Sequence, residues 1–174
     1  MKSVFAIMTL AASLALTPMA SAAGYIKFDG IEGESKDSRR SGWINIDRVT
    51  EGYSRPSPAG AASGRMRASL STSGLTFEKE IDATSPLLRR AITRGESFKE
   101  VSVDLTESRG GQPYMTIKLT SVTLTDLNAS MDDGEASETI TLNYESIEWT
   151  YPKADAGGRS SGDVTASYNF MTGR

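Results

Sequence analysis

Asp132, Asp133, Glu135 and Glu138 form the closest cluster of carboxylates in the chain, with Gly134 able to make a tight turn among them. Calcium needs several oxygen ligands around such a turn, but this spacing fits no calcium loop, and the stretch reads as a solvated hairpin tip. Paired carboxylates would suit glycoside hydrolysis, yet nothing in the sequence selects a pair. Trp43, Trp149 and the tyrosines offer rings for stacking on sugars, although Trp149 sits in an alternating pattern typical of a half-buried strand residue. Gly30-x-x-Gly33 lacks the rest of a phosphate loop and the helix that should follow it. The chain contains no histidine and no cysteine. The usual general base, thiolate nucleophiles, disulfides and thiolate metal sites are therefore ruled out. No enzymatic activity, metal or cofactor is expected.

A length of 174 residues suits one domain around one core. The formal charge of −3 and the scattered basic residues, with only Arg65–Met66–Arg67 close together, leave no electrostatic footprint for nucleic acid.

These side chains are positioned mainly by β-structure. Val164, Ala166, Tyr168 and Phe170 alternate with Thr165, Ser167 and Asn169; Leu75, Phe77 and Ile81 share one face, and so do Val101, Val103 and Leu105. Two runs change phase midway. Met115, Ile117 and Leu119 give way to Val122 and Leu124, and Ile140, Leu142 and Tyr144 give way to Ile147, Trp149 and Tyr151. One inserted residue would restore a common face in each run, so each is expected to be a single long strand bent at a β-bulge. Bent sheets close into barrels. One short helix is expected between Ser85, as N-cap, and Gly95, as C-terminal cap, with Pro86 in its first position and Leu87, Leu88, Ala91 and Ile92 on one stripe. Such a helix is marginal alone and must plug or flank the barrel. Tyr53–Gly64 and Ala154–Gly162 read as exposed loops.

The first 22 residues read as an export address. Lys2 precedes the apolar run Val4–Leu16, which is too short to span a bilayer, and Ala20-Ser21-Ala22 supplies the small-residue pattern for cleavage between Ala22 and Ala23. A single domain over 23–174 would then be periplasmic or secreted. No second apolar segment follows, so no membrane span is expected after cleavage.

Three segments together resemble the haemolysin-coregulated protein (Hcp) family, the tube subunit of type VI secretion systems. They are Tyr25–Ile46 (YIKFDGIEGESKDSRRSGWINI), Leu75–Gly95 (LTFEKEIDATSPLLRRAITRG) and Glu138–Phe170, which includes TITLNYESIEWTY and VTASYNF. The resemblance implies a mainly β fold, a bent antiparallel barrel of two packed sheets with one short α-helix. It also implies a hexameric ring that stacks into a tube, carries effectors and meets spike components, with no enzymatic activity unless a further domain is fused. By resemblance, Gly30, Gly33, Glu34 and Ser35 form the family's first turn. Asp82, Ser85 and Pro86 start its helix in a capping role. The loop containing Tyr53, Arg55, Pro56, Pro58 and Gly64 reaches towards a neighbouring subunit. Two features depart from the pattern: tube subunits are normally made without a signal peptide, and Val49–Thr50–Glu51 stands where the family often carries aromatics. The alternative is a monomeric secreted β-sandwich module that binds sugar or a surface protein.

Overall fold

The structure, a computed structural model, describes residues 23–55, 70–107, 111–132, 134–154 and 160–174. The expected address over residues 1–22 lies outside these. Nine strands and one helix follow in the order β1 (Ala23–Phe28), β2 (Ile44–Ile46), β3 (Arg48–Ser54), β4 (Ser71–Glu80), α1 (Ser85–Arg94), β5 (Ser97–Thr106), β6 (Pro113–Asp132), β7 (Glu135–Asn143), β8 (Ser146–Ala154) and β9 (Ser160–Asn169). All ladders are antiparallel. Among the described residues no helix is long and apolar enough to cross a membrane.

The strand order is β2-β1-β5-β6-β7-β4-β3, with β8 added to β6 and β9 to β8. Only Asp47 separates β2 from β3, so these two strands are one line of chain that pairs first with β1 and then with β4. The path therefore returns to its beginning and closes a barrel. The Asp47 N–H donates to the Glu78 carbonyl at 2.8 Å across the join. Closure pairs backbone groups that an open sheet would leave bare.

The two phase changes resolve differently. β6 remains one strand: Ser121 adopts φ 53° between buried Leu119 and buried Val122 with the β5 register unbroken across it (Phe98↔Val122, Glu100↔Thr120), and the register shift against β7 falls between Leu124 and Asp126. The second run is not a single bulged strand: β7 ends at Asn143 and β8 begins at Ser146. Its halves keep one register along β6, Thr123↔Asn143 and Thr120↔Ser146, but take different outer neighbours, β4 for β7 and β9 for β8. A bulge alone would have kept the neighbours the same. Buried Tyr144 sits at the corner, the Glu145 N–H donates to the Thr120 carbonyl at 3.0 Å, and the Phe170 N–H donates to the Glu145 carbonyl at 2.9 Å.

Inside, Phe28 meets Phe98 edge-on at 5.0 Å and lies 6.1 Å from Phe77, within a core that includes Ile26, Ile44, Leu75, Val101, Val103, Leu119, Ile140 and Leu142. Helix α1 buries Leu88 and Ala91 in that core, and Gly95 ends it in the left-handed conformation (φ 65°). The N-cap position falls on Thr84, one residue before the expected Ser85, which becomes the first helical residue. The β8–β9 ribbon overhangs the barrel. Tyr168 and Phe170 pack partly against the core, but Val164, Ala166 and Tyr151 of the same face are exposed.

Two glycines separate backbone strain from collision. Gly74 has φ +79°, and a Cβ there would stand 2.4 Å from the Leu142 carbonyl oxygen; Gly30 has φ +80° with open space around it. Gly74→Ala should cost about 2–4 kcal/mol, combining strained backbone with a steric clash, whereas Gly30→Ala should cost about 1–2 kcal/mol. Urea denaturation of the two variants checks this ordering.

Candidate functional site

Glu138 was grouped by sequence with the acidic turn, but it lies on β7 with 1% of its surface exposed, facing Lys79 of β4, which is fully buried. This corrects the reading of all four acids as a solvated tip. Asp132 and Glu135 pair across the exposed β6–β7 turn, while Asp133 lies outside the described residues. Lys79 Nζ donates to Glu138 Oε1 at 3.0 Å, Asp82 Oδ1 at 2.8 Å, Ser85 Oγ at 3.2 Å and the Glu80 carbonyl at 2.7 Å. Ser85 Oγ donates to Glu138 Oε1 at 2.6 Å and accepts from the Asp82 N–H at 3.1 Å. Arg89, from the next turn of α1, sets its Nη2 2.9 Å from Glu138 Oε2. The Thr84 N–H and hydroxyl both donate to Asp82 Oδ1, at 2.8 and 2.6 Å.

A buried ammonium without partners would be very costly. Here Glu138 comes from β7, Asp82 from the connection between β4 and α1, and the Ser85 hydroxyl from α1 itself, so the cluster locks α1 onto β4 and β7. Ser85 therefore serves this lock rather than capping the helix. Its hydroxyl beside a lysine amine has the composition of a Ser–Lys nucleophile, but with Ser85 1% exposed and Lys79 wholly buried no substrate reaches either atom.

The first-turn motif is built by close approach. Gly30 turns the chain with positive φ, and a Cβ on Gly33 would fall 2.3 Å from the Trp43 carbonyl oxygen. The Gly33 N–H donates to the Gly42 carbonyl at 2.8 Å and the Ser35 N–H to the Trp43 carbonyl at 2.9 Å. Ser35 is buried, and Glu34 is exposed. Glu34 and Asp82 line one cleft of about 190 Å³ together with Asn45, Asp47, Glu80 and Ile81, so the two sequence motifs converge on a single acidic surface. Sequence reasoning missed Arg40, which holds the 35–42 loop from beneath. It is 2% exposed, its Nε lies 2.7 Å from Asp104 Oδ2, its guanidinium stacks 4.9 Å from the Tyr25 ring centre, and it donates to the Gly111 carbonyl at 3.1 Å. Its only local signal is the Asp37 three residues earlier, whose carboxylate accepts the Arg40 N–H at 3.2 Å.

At the base of the long loop, Glu51 stands among aromatic rings. Its carboxylate accepts the Trp149 indole N–H at 3.1 and 3.2 Å and the Tyr53 hydroxyl at 3.1 Å. The Tyr53 and Tyr144 hydroxyls lie 3.0 Å apart, Tyr53 meets Trp149 edge-on at 5.6 Å, and Phe170 touches Tyr53, Tyr144 and Tyr168. Burial, then the Tyr144 hydrogen bond and the Glu51 charge, push the Tyr53 phenol above its ordinary range, so it stays protonated and keeps donating. Among the family-type loop residues Tyr53 and Arg55 are exposed, whereas Pro56, Pro58 and Gly64 lie outside the described residues. Ala20 and Ala22 also lie outside them; Ala23 is the first residue of β1.

A closed antiparallel barrel with one helix locked to its wall by buried charge, and a two-stranded ribbon projecting beyond it, defines a distinct class of small β-domain. A solved structure of a type six secretion system protein shares that fold, with a TM-score of 0.79 and 23% identity over 88% of this chain and 98% of the other. Hcp1 from Salmonella typhimurium shares it with a TM-score of 0.73 and 24% identity over 90% and 99% of the two chains. Residues 25–151 match the family described as type VI secretion system effector, Hcp, and the chain belongs to that family. Protein hcp1 of Pseudomonas aeruginosa is 25% identical over 84% of this chain and 93% of its own length.

Truncating one partner of the charge lock should be worse than replacing both. Glu138→Ala should cost about 3–5 kcal/mol, and Lys79→Met with Glu138→Leu clearly less, by urea denaturation. The pH response has a definite sign. Burial alone would raise the Asp82 carboxyl, but the Lys79 and Thr84 hydrogen bonds outweigh it and hold the group below its ordinary 3.8. Its contribution is present above the ordinary value and lost as pH falls through the lower folded one. Asp82→Asn should therefore flatten the acid limb of stability below about pH 4, as read by thermal melts across pH.

Proposed function

We propose that this chain is an exported, non-enzymatic structural subunit that closes into rings of six copies, stacks them into a tube, and carries effectors or meets spike components. The observation that carries assembly is the β8–β9 ribbon. Among the described residues β9 pairs with β8 alone, and the apolar cross-strand pair Tyr151↔Val164 lies about half exposed on the face that elsewhere points to the core. A ten-residue strand with a bare edge and an uncovered apolar face invites a neighbouring subunit. A head-to-tail contact that closes on itself gives a ring. Membership of the Hcp family supports the same reading.

Export rests on the leader pattern. Cleavage after Ala22 removes none of the described strands, because β1 begins at Ala23. The subunit would then be periplasmic or extracellular, with no membrane span. The absence of chemistry rests on the sequestered Ser85–Lys79 pair and on the lack of histidine and cysteine. A sugar-binding monomer draws less support, since the Trp149 indole is committed to Glu51 and the neighbouring rings pack on one another.

Light scattering and negative-stain microscopy of Ala23–Arg174 should show rings of about six copies. Tyr151→Asp combined with Val164→Asp should yield monomers with an unchanged far-ultraviolet circular dichroism spectrum. A native chain that stays monomeric at every concentration overturns the assembly reading.

A further inference from the structure

Two uncovered apolar rows stand far apart along β6. The first lies just outside the buried charge cluster. Lys79 and Glu138 pair on the inward face of β4 and β7, and the positions two residues further out share that face. They are Ile81 and Ala136, joined by the Ile81 N–H donating to the Ala136 carbonyl at 3.1 Å, and Met131 of β6 stands opposite Ala136. No described element covers this row: Ile81 is 45% exposed and Met131 77%. The second row is the cross-strand pair Tyr151↔Val164 of the ribbon. We infer that the two rows are the halves of one head-to-tail contact, the Met131–Ala136–Ile81 row of one copy lying on the Tyr151–Val164 pair of the next. The inference rests on the assembly reading and gives the ribbon face its partner.

Three observations point to a second copy of this chain as the occupant. Separation is the first. About 45 Å of strand lies between Ile117, opposite Trp149 of the ribbon, and Met131, so one chain cannot bring its own rows together. Charge is the second. One residue beyond Met131, Asp132 and Glu135 stand directly opposite each other, and among the described residues neither meets a cation. Like charges so placed disfavour the hairpin by itself. On the ribbon, Lys153 follows Tyr151 on the same face, is exposed, and among the described residues meets no carboxylate. Laying one row on the other with the strand ends aligned brings that ammonium to the paired carboxylates. The third is the chemistry of the rows themselves. Met131 offers an unbranched thioether, which packs well on an aromatic ring such as that of Tyr151. Each copy gives one row and receives the other, the arrangement that a closing ring repeats.

The test mixes two chains, each blocked on one side: Ile81→Gln with Met131→Glu, and Tyr151→Asp with Val164→Asp. Each alone should stay monomeric by light scattering, with a native far-ultraviolet circular dichroism spectrum. An equimolar mixture should form pairs and nothing larger, since one intact contact remains between the two chains. A hairpin-blocked chain that assembles as the native chain does overturns the contact and leaves the ring reading standing. A mixture that stays monomeric overturns the contact as well. Charge reversal tests it without disturbing either row. Lys153→Glu should weaken assembly about tenfold at low salt, and Asp132→Lys with Glu135→Lys in the same chain should restore it. Weakening without rescue overturns the pairing of these ends. A native chain that stops at two copies removes the six-copy reading, and the mixing result then decides the contact by itself. A native chain that is monomeric at every concentration removes both.

Discussion

The barrel closes because one line of chain, Ile44–Ser54, changes partners at Asp47. Its first residues satisfy β1 and the rest satisfy β4, so a strand order that would otherwise end at two open edges returns on itself. Every other feature is arranged around that closure. The core is the enclosed face. Along the projecting ribbon, among the described residues, β9 has β8 as its one partner and Tyr151 and Val164 stay half exposed.

The second constraint is electrostatic. Lys79 brings a charge into the barrel wall, and the fold has to answer it with Glu138, Asp82 and the Ser85 hydroxyl at once. This makes the cluster a poor source of net stability and a strong selector of geometry. A helix shifted by one turn would take the Ser85 hydroxyl away from Lys79 and the Arg89 guanidinium away from Glu138. Arg40 plays a similar part on the opposite side, where Asp104 and the Tyr25 ring hold the 35–42 loop against β1 and β5.

Glu51 joins two distant strands through one carboxylate. It is linked to the surrounding rings through the Trp149 indole and the Tyr53 hydroxyl, so β3 is tied to β8 by hydrogen bonds at that position. The tie holds the end of β3 at Tyr53 directly against Trp149 of the ribbon.

The mainly β character, the single helix with its terminal glycine, the phase change in β6 and the glycine turn at Gly30 were legible in the sequence. Each depends on residues a few positions apart, where periodicity and φ preferences act. The division of the second long run into β7 and β8 was not legible, because a bulge and a change of neighbour leave the same mark on alternation. Nor was the burial of Glu138, whose Lys79 partner lies 59 residues away in the chain, or of Arg40, which meets Asp104 across 64. By itself the sequence determined which residues alternate, where the chain turns at Gly30 and which glycine ends the helix. Only the tertiary structure decided which charges are enclosed and which strand edges stay bare, because burial depends on which distant strands are brought side by side.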